Sequence, residues 1–125
     1  CIAASGSALS FVDTRACATT ATSQACASTA NVLDIDCNPN KPGAFITCGD
    51  DRLLRCWDVR SMQKGPVRTL FGHSHWAVTC RYNPFHDQLM LSGGTGNGVN
   101  LWRVASCSRQ VTYTQYIVYV IFAKL

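Results

Sequence analysis

The sequence is poor in charge and lacks long basic or apolar runs. Charged residues make up 14% of the 125 residues and the formal net charge is +4, which is too weak and too scattered to indicate a nucleic-acid partner. The longest strongly apolar run, residues 116–123, is too short to span a bilayer. The chain opens at Cys1 without Met or a basic segment, so we expect no secretory signal. These absences favour a soluble domain.

Motifs of catalysis and metal binding are also missing. The sequence contains no C-x-x-C, G-x-S-x-G or H-E-x-x-H pattern. Gly93 and Gly98 have the spacing of a phosphate loop, but Val99 occupies the position where such a loop needs Lys, and a strand follows. We therefore expect no catalytic residues, no cofactor, no metal site and no enzymatic activity.

Eight cysteines raise the question of redox compartment. Four of them, Cys37, Cys48, Cys56 and Cys80, fall inside apolar, strand-like runs, where a free cysteine packs like a small hydrophobic residue. This pattern favours reduced cysteines in the cytosol. Disulfide bonds and a metal site stay open as alternatives.

A spacing of 45 residues recurs along the chain. Tryptophans, Asn-Pro pairs and small hydroxyl residues all follow it, and chance agreement of three such markers is improbable in so short a chain. The pairs are Trp57 with Trp102, Asn38-Pro39 with Asn83-Pro84, and Thr47 with Ser92. One further step back from Trp57 reaches Val12, in the same frame as Trp57 and Trp102.

Within each unit, short apolar runs alternate with turn residues, which predicts four short antiparallel strands. With Gly72-His73 and Trp57-Asp58, this pattern resembles the WD-repeat β-propeller blade. We therefore expect an all-β fold with two to three blades of a larger, seven-bladed propeller. The predicted parts are a partial blade (1–15), a strand or linker (16–31), two blades (32–76 and 77–108) and an apolar tail (109–125).

The tail carries no repeat marker, and two readings of it stay open. It is either a fourth strand or sequence unrelated to the repeat. Because a few blades cannot close a ring, we expect this chain on its own to be marginally stable or to self-associate.

The WD-repeat resemblance implies a buried polar network within each blade. In the middle blade the matching positions are Thr47, Asp51 and Trp57, with Ser28 where the family carries His. In the last blade they are His73, Ser92 and Trp102, with Gly96 in place of Asp.

A second set of residues could dock a partner. Trp57-Asp58-Val59-Arg60 is a W-D-x-R box, which resembles the docking signature of substrate receptors for cullin-4 ubiquitin ligases. Arg15 occupies the same frame one unit earlier. If these arginines do not dock a partner, we expect the guanidinium groups of Arg60 and Arg15 to donate hydrogen bonds to carbonyl groups at neighbouring strand ends. Trp76 is a candidate contact residue, with burial in the core or between blades as the alternative.

Five segments of the stretch 32–102 carry a narrower resemblance. They are Leu33–Lys41, Cys48–Asp51, Gly72–Trp76, Arg81–Pro84 and His86–Leu89. Together they make this stretch similar to the EARP-interacting proteins, WD-repeat proteins that act with the endosome-associated recycling (EARP) and Golgi-associated retrograde (GARP) tethering complexes. The resemblance implies a non-enzymatic adaptor in endosomal recycling and transport to the trans-Golgi network, located in the cytoplasm at those membranes. A scaffold for other protein partners is the alternative.

Overall fold

Three antiparallel sheets make up the computed structural model, which describes residues 2–11, 22–25, 30–96, 98–104 and 116–118. In each sheet the strands lie side by side in chain order, as in a propeller blade. The predicted all-β class is confirmed. The strands are β1 (Ile2–Ser5), β2 (Ala8–Phe11) and β3 (Thr22–Ala25) in the first blade; β4 (Val32–Cys37), β5 (Ala44–Gly49), β6 (Leu53–Asp58) and β7 (Arg68–Phe71) in the middle blade; and β8 (Ala77–Tyr82), β9 (Leu89–Gly94), β10 (Val99–Arg103) and β11 (Tyr116–Val118) in the last blade.

The 45-residue repeat is visible in the turns. Asn38 Oδ1 accepts hydrogen bonds from the backbone N–H groups two and three residues later, at 2.9 and 3.0 Å. Asn83 Oδ1 does the same at 2.8 and 3.0 Å. Such side-chain-to-backbone bonds fix a tight turn, which is why Asn-Pro ends the first strand of both blades.

The first strand of each of these blades also carries an irregularity at the same place. The pairing of β4 with β5 shifts at Leu33, and the pairing of β8 with β9 shifts at Val78. A β-bulge leaves its extra residue out of the ladder, and both side chains are 43% exposed.

Because the strands alternate in direction, each blade has two distinct ends. We call the lower end the one reached by β4, β6, β8 and β10 as they run from N to C terminus, and the upper end the opposite one. The lower end of the middle and last blades carries the connections 38–43, 59–67 and 83–88, and the upper end carries 50–52, 72–76 and 95–98.

The hydrophobic core lies in the seams between neighbouring blades. The seam between the middle and last blades buries side chains from both sheets, and a second cluster joins the first blade to the middle blade. The first seam contains Ile46, Cys48, Leu54, Leu70, Ala77, Cys80, Met90 and Trp102, and the second contains Leu9, Phe45, Trp57 and Met62.

A short 3-10 helix, Val59–Lys64, was not predicted from the sequence. Asp58 caps it by accepting a hydrogen bond from the Arg60 backbone N–H at 3.0 Å, and Gly65 ends it with φ of 90°. Six residues with a kink at Ser61 are too few to show helical periodicity. Among the described residues, no helix has the length and apolar character needed to cross a membrane.

Three residues of the apolar tail form a strand. Tyr116–Val118 pairs with Val99–Leu101 at the edge of the last blade. The other tail residues lie outside the described part of the chain. The boundary expected at residue 108 remains a prediction.

Candidate interaction surfaces and their supporting network

The two repeat tryptophans are held by hydrogen bonds to the hydroxyl residues predicted as their partners. Trp57 Nε1 donates to Thr47 Oγ1 at 2.8 Å, and Trp102 Nε1 donates to Ser92 Oγ at 2.8 Å. All four residues are at most 4% exposed. An unpaired indole N–H in such a site would cost the free energy of its desolvation, so each bond fixes the pairing of strands within its blade.

In the last blade, His73 extends this chain. His73 Nε2 lies 2.7 Å from Ser92 Oγ, and the centroids of the His73 and Trp102 rings are 6.5 Å apart. Partial burial lowers the pKa of His73. The neutral imidazole therefore suits this position, where it bridges the upper connection to β9.

Asp51 lies in the turn between β5 and β6, at the upper end of the middle blade. Its carboxylate pairs with the guanidinium of Arg55 within the middle blade and accepts from the Leu53 backbone N–H at 3.3 Å. Ser28, at the family's His position, lies outside the described residues. In the last blade, a Cβ added at Gly96 would lie 2.3 Å from Ser74 Oγ, so the exposed Ser74 side chain would have to turn away to admit a larger residue.

Two aspartates join the middle blade to the last, a feature that sequence reasoning missed. Asp34 Oδ2 accepts from Thr79 Oγ1 at 2.8 Å and from the Cys80 backbone N–H at 3.1 Å. Asp36 Oδ2 accepts from the Tyr82 backbone N–H at 2.7 Å. These carboxylates thus satisfy the edge of β8, which would otherwise present unpaired N–H groups.

The electrostatics of this seam are tuned by its hydrogen bonds. Burial opposes ionisation of Asp34, but the bonds donated by Cys80, Thr79, Ile35 and Arg81 outweigh burial and lower its pKa. The hydrogen bond and charge of Asp34 raise the pKa of Arg81. A periodic Asp-x-Asp pattern on one strand was the available signal, but only the neighbouring blade reveals what the pattern does.

The W-D-x-R box lies at the lower end of the middle blade. Trp57 is buried and its ring stacks on Phe45 with centroids 6.1 Å apart. Asp58 is engaged as the helix cap. The exposed Arg60 guanidinium makes no hydrogen bond or ion pair with any described residue. Arg15 lies outside the described residues.

Trp76 lies at the upper end with its side chain half exposed. It takes the place of Asn31 one repeat earlier, since the carbonyl oxygens of both residues accept from the turn after the second strand, at 3.2 Å for Asn31 and 3.0 Å for Trp76. Asn31 bonds Asp50 through its side chain, whereas Trp76 lies on the ring of His75 at 5.4 Å. The sequence left burial and exposure open for Trp76, and in the structure this residue is 50% exposed.

The described cysteines are free thiols in different environments. Cys48 and Cys80 are buried, Cys56 is half-buried and Cys37 is exposed. A hydrogen bond with Cys48, followed by burial, raises the pKa of Cys80, and burial raises the pKa of Cys56 to about 11. Both shifts favour unreactive thiols. Within the described part of the chain, no three potential ligands converge on a metal position.

A cleft opens at the lower end of the seam. Its volume is about 190 Å³, and both the middle and last blades contribute to its walls. Met90, Cys56 and Val104 form an apolar side, and Lys41 and Val67 are exposed residues on its border. It was not predicted, because its walls come from sequence segments that only the packing of two blades brings together.

Comparison with known proteins identifies the family. The family model described as EIPR1 beta-propeller matches residues 1–102. The chain belongs to the EIPR1 beta-propeller family. The resemblance inferred from the segments between residues 33 and 89 is thereby confirmed.

Several relatives of this family member can be compared directly. EARP and GARP complex-interacting protein 1 of Rattus norvegicus is 44% identical over 79 residues, covering 63% of this chain and 20% of the relative. EARP-interacting protein 1 of Caenorhabditis elegans is 40% identical over 85 residues, covering 68% and 22%. WD repeat-containing protein DWA2 of Arabidopsis thaliana is 34% identical over 83 residues, covering 66% and 23%. The chain spans about a fifth of the length of these curated relatives.

Proposed function

We propose that this member of the EIPR1 beta-propeller family is a non-enzymatic interaction scaffold that serves as an adaptor of the EARP and GARP tethering complexes. Its role would lie in endosomal recycling and in retrograde transport to the trans-Golgi network. Its location would be the cytoplasm, at the surface of those membranes. The observation that carries the proposal is that relatives 40 to 44% identical bear names that state EARP or GARP interaction.

The arrangement of polar groups supports a scaffold. Buried and partly buried polar side chains make structural hydrogen bonds within and between the blades. Ser92 bonds Trp102 and His73 in the last blade, and Asp34 of the middle blade bonds β8 of the last blade. A rigid sheet with exposed connections at both ends can present surfaces to protein partners. The predicted blade network of Thr47, Asp51, Trp57, His73, Ser92 and Trp102 supplies that rigidity in this proposal.

Affinity capture of the full-length protein from cell lysate, followed by mass spectrometry, tests the proposal. We expect subunits of the tethering complexes to be enriched over an unrelated propeller used as bait. Capture of other proteins without any tethering subunit would contradict the adaptor function.

A second candidate function is favoured by Arg60. We propose that the W-D-x-R box docks the adaptor protein of a cullin-4 ubiquitin ligase, with this protein as substrate receptor. The exposed guanidinium carries five N–H donors and is unpaired with any described residue, so it is available for bidentate recognition of a carboxylate.

An arginine at the opposite end provides a matched control. We expect Arg60→Ala to abolish capture of the cullin-4 adaptor and to preserve capture of the tethering subunits, while Arg52→Ala preserves both. Equal recovery of the cullin-4 adaptor by the wild type and Arg60→Ala would contradict docking through the box.

A further inference from the structure

Positive charge is concentrated at the lower end of the middle and last blades. In the described connections at the lower end, three cationic side chains accompany one carboxylate, and in those at the upper end one cationic side chain accompanies two carboxylates. Asp58, at the end of β6 beside the lower connections, already caps the 3-10 helix. The lower set is Lys41, Arg60 and Lys64 with Asp87, and the upper set is Arg52 with Asp50 and Asp51.

The cleft lies at this same positive end. Its apolar side is formed by Met90, which is 1% exposed, with Cys56 and Val104 beside it. Val67, 55% exposed, stands at its border. A volume of about 190 Å³ suits one large side chain, and anchoring of one such side chain in a pocket is how many protein segments bind.

We infer that the lower end of the seam between the middle and last blades binds an acidic protein segment that inserts one large apolar side chain into the cleft. Lys41 joins the two parts of this surface, since it lines the cleft and is exposed beside the 3-10 helix connection. The Gly43 backbone carbonyl accepts from the Val59 N–H at 2.8 Å, which places the Lys41 turn against the helix that carries Arg60 and Lys64.

Charge complementarity selects the occupant. The cleft walls carry two cations, Lys41 and Arg68, and two carboxylates, Asp58 and Asp87. Carboxylates flanking an apolar anchor would meet Lys41 and the cations of the neighbouring 3-10 helix. The 44% exposed Val59 on that helix adds apolar contact between the charges. The inference deepens the proposed scaffold function by naming the face and the chemistry of its partner.

Fluorescence anisotropy with the full-length protein tests this inference. The probe is a fluorescein-labelled heptapeptide with a central phenylalanine and three acidic residues on each side. Two further probes replace the phenylalanine by serine or the acidic residues by lysines. Val67→Asp places a repelling charge at the cleft, and Val78→Asp makes the same change at an exposed valine toward the upper end. Lys64→Glu and Arg52→Glu form a second matched pair.

We expect saturable binding of the acidic probe, weakened about tenfold when serine replaces the anchor. Val67→Asp should weaken binding about fivefold or more, and Lys64→Glu about fivefold, because each turns an attraction into a repulsion. Val78→Asp and Arg52→Glu should leave the dissociation constant unchanged.

Three results would overturn the inference. These are no binding of the acidic probe, equal effects of Val67→Asp and Val78→Asp, and binding of single-stranded DNA or phosphatidylserine vesicles instead of the peptide. None of them bears on capture of the tethering complexes, which is measured separately, so failure of this inference is distinguishable from failure of the proposed function.

Discussion

Removal of the Asp34 carboxylate should show how much the hydrogen bonds between the middle and last blades contribute to the free energy of unfolding. In Asp34→Ala the Cys80 backbone N–H, in a residue with 0% exposure, loses its acceptor, which costs about 1–3 kcal/mol. Loss of the Thr79 hydroxyl bond adds about 1 kcal/mol. Arg81 adds about 0.5 kcal/mol at most, because its side chain is 58% exposed. We therefore expect Asp34→Ala to lower the free energy of unfolding by about 3 kcal/mol, the sum of these contributions.

Urea unfolding followed by tryptophan fluorescence measures this loss, since Trp57 and Trp102 report on the middle and last blades. Arg81→Met isolates the ion pair and Thr79→Val isolates the hydroxyl bond. Asp87→Ala, an exposed aspartate in the lower turn 83–88, is the matched control and should change the free energy by less than about 0.5 kcal/mol. The reasoning fails if Asp34→Ala is as stable as the control, or if Arg81→Met costs as much as Asp34→Ala.

Three further outcomes follow from the same structure. Folding lowers the pKa of Asp34 below its usual 3.8, so the stability that the ionised carboxylate contributes at neutral pH should be lost as the pH falls below 3.8 and through the pKa of the folded state. In acid unfolding titrations, the free energy of unfolding of Asp34→Asn should therefore fall less steeply with pH than that of the wild type. Trp57→Phe should lower the free energy of unfolding in urea by about 1–2 kcal/mol, and Trp102→Phe should lower it less. The reason is that Ser92 keeps its hydrogen bond to His73 when the Trp102 indole is lost, whereas Thr47 keeps no side-chain bond to a described residue when the Trp57 indole is lost. A larger loss in Trp102→Phe would contradict the network. Gly94→Ala, whose Cβ would lie 2.5 Å from a backbone oxygen, should lower the melting temperature by an amount equivalent to about 1–3 kcal/mol, whereas Gly98→Ala, with open space around it, should not.

The repeat made the architecture predictable. A tryptophan and a small hydroxyl residue that recur together, as Trp57 with Thr47 and Trp102 with Ser92, constrain two strands of one sheet at once. The Asn-Pro turns fix where the first strand ends. Local chemistry of this kind is written along the chain and can be found by its period.

Contacts between blades were not predictable in the same way. Asp34 and Asp36 look like ordinary polar positions of a strand, and nothing local says that their partners lie about one repeat later in β8. The cleft at the lower end is likewise made by two blades together.

Exposure was equally beyond sequence reasoning at Trp76. A tryptophan is equally compatible with a core and with a contact surface. The structure decides because the bulk of Trp76 replaces the smaller Asn31 of the preceding repeat, and its ring rests on His75 outside the core.

The most direct test of the account is reconstituted binding between the purified full-length protein and purified EARP and GARP complexes. Biolayer interferometry with the tethering complex immobilised would give a dissociation constant without other cellular proteins. The account predicts saturable binding of the wild-type protein and of Arg60→Ala with equal affinity. If the protein bound neither complex although its tryptophan fluorescence showed that it was folded, the adaptor function would be contradicted.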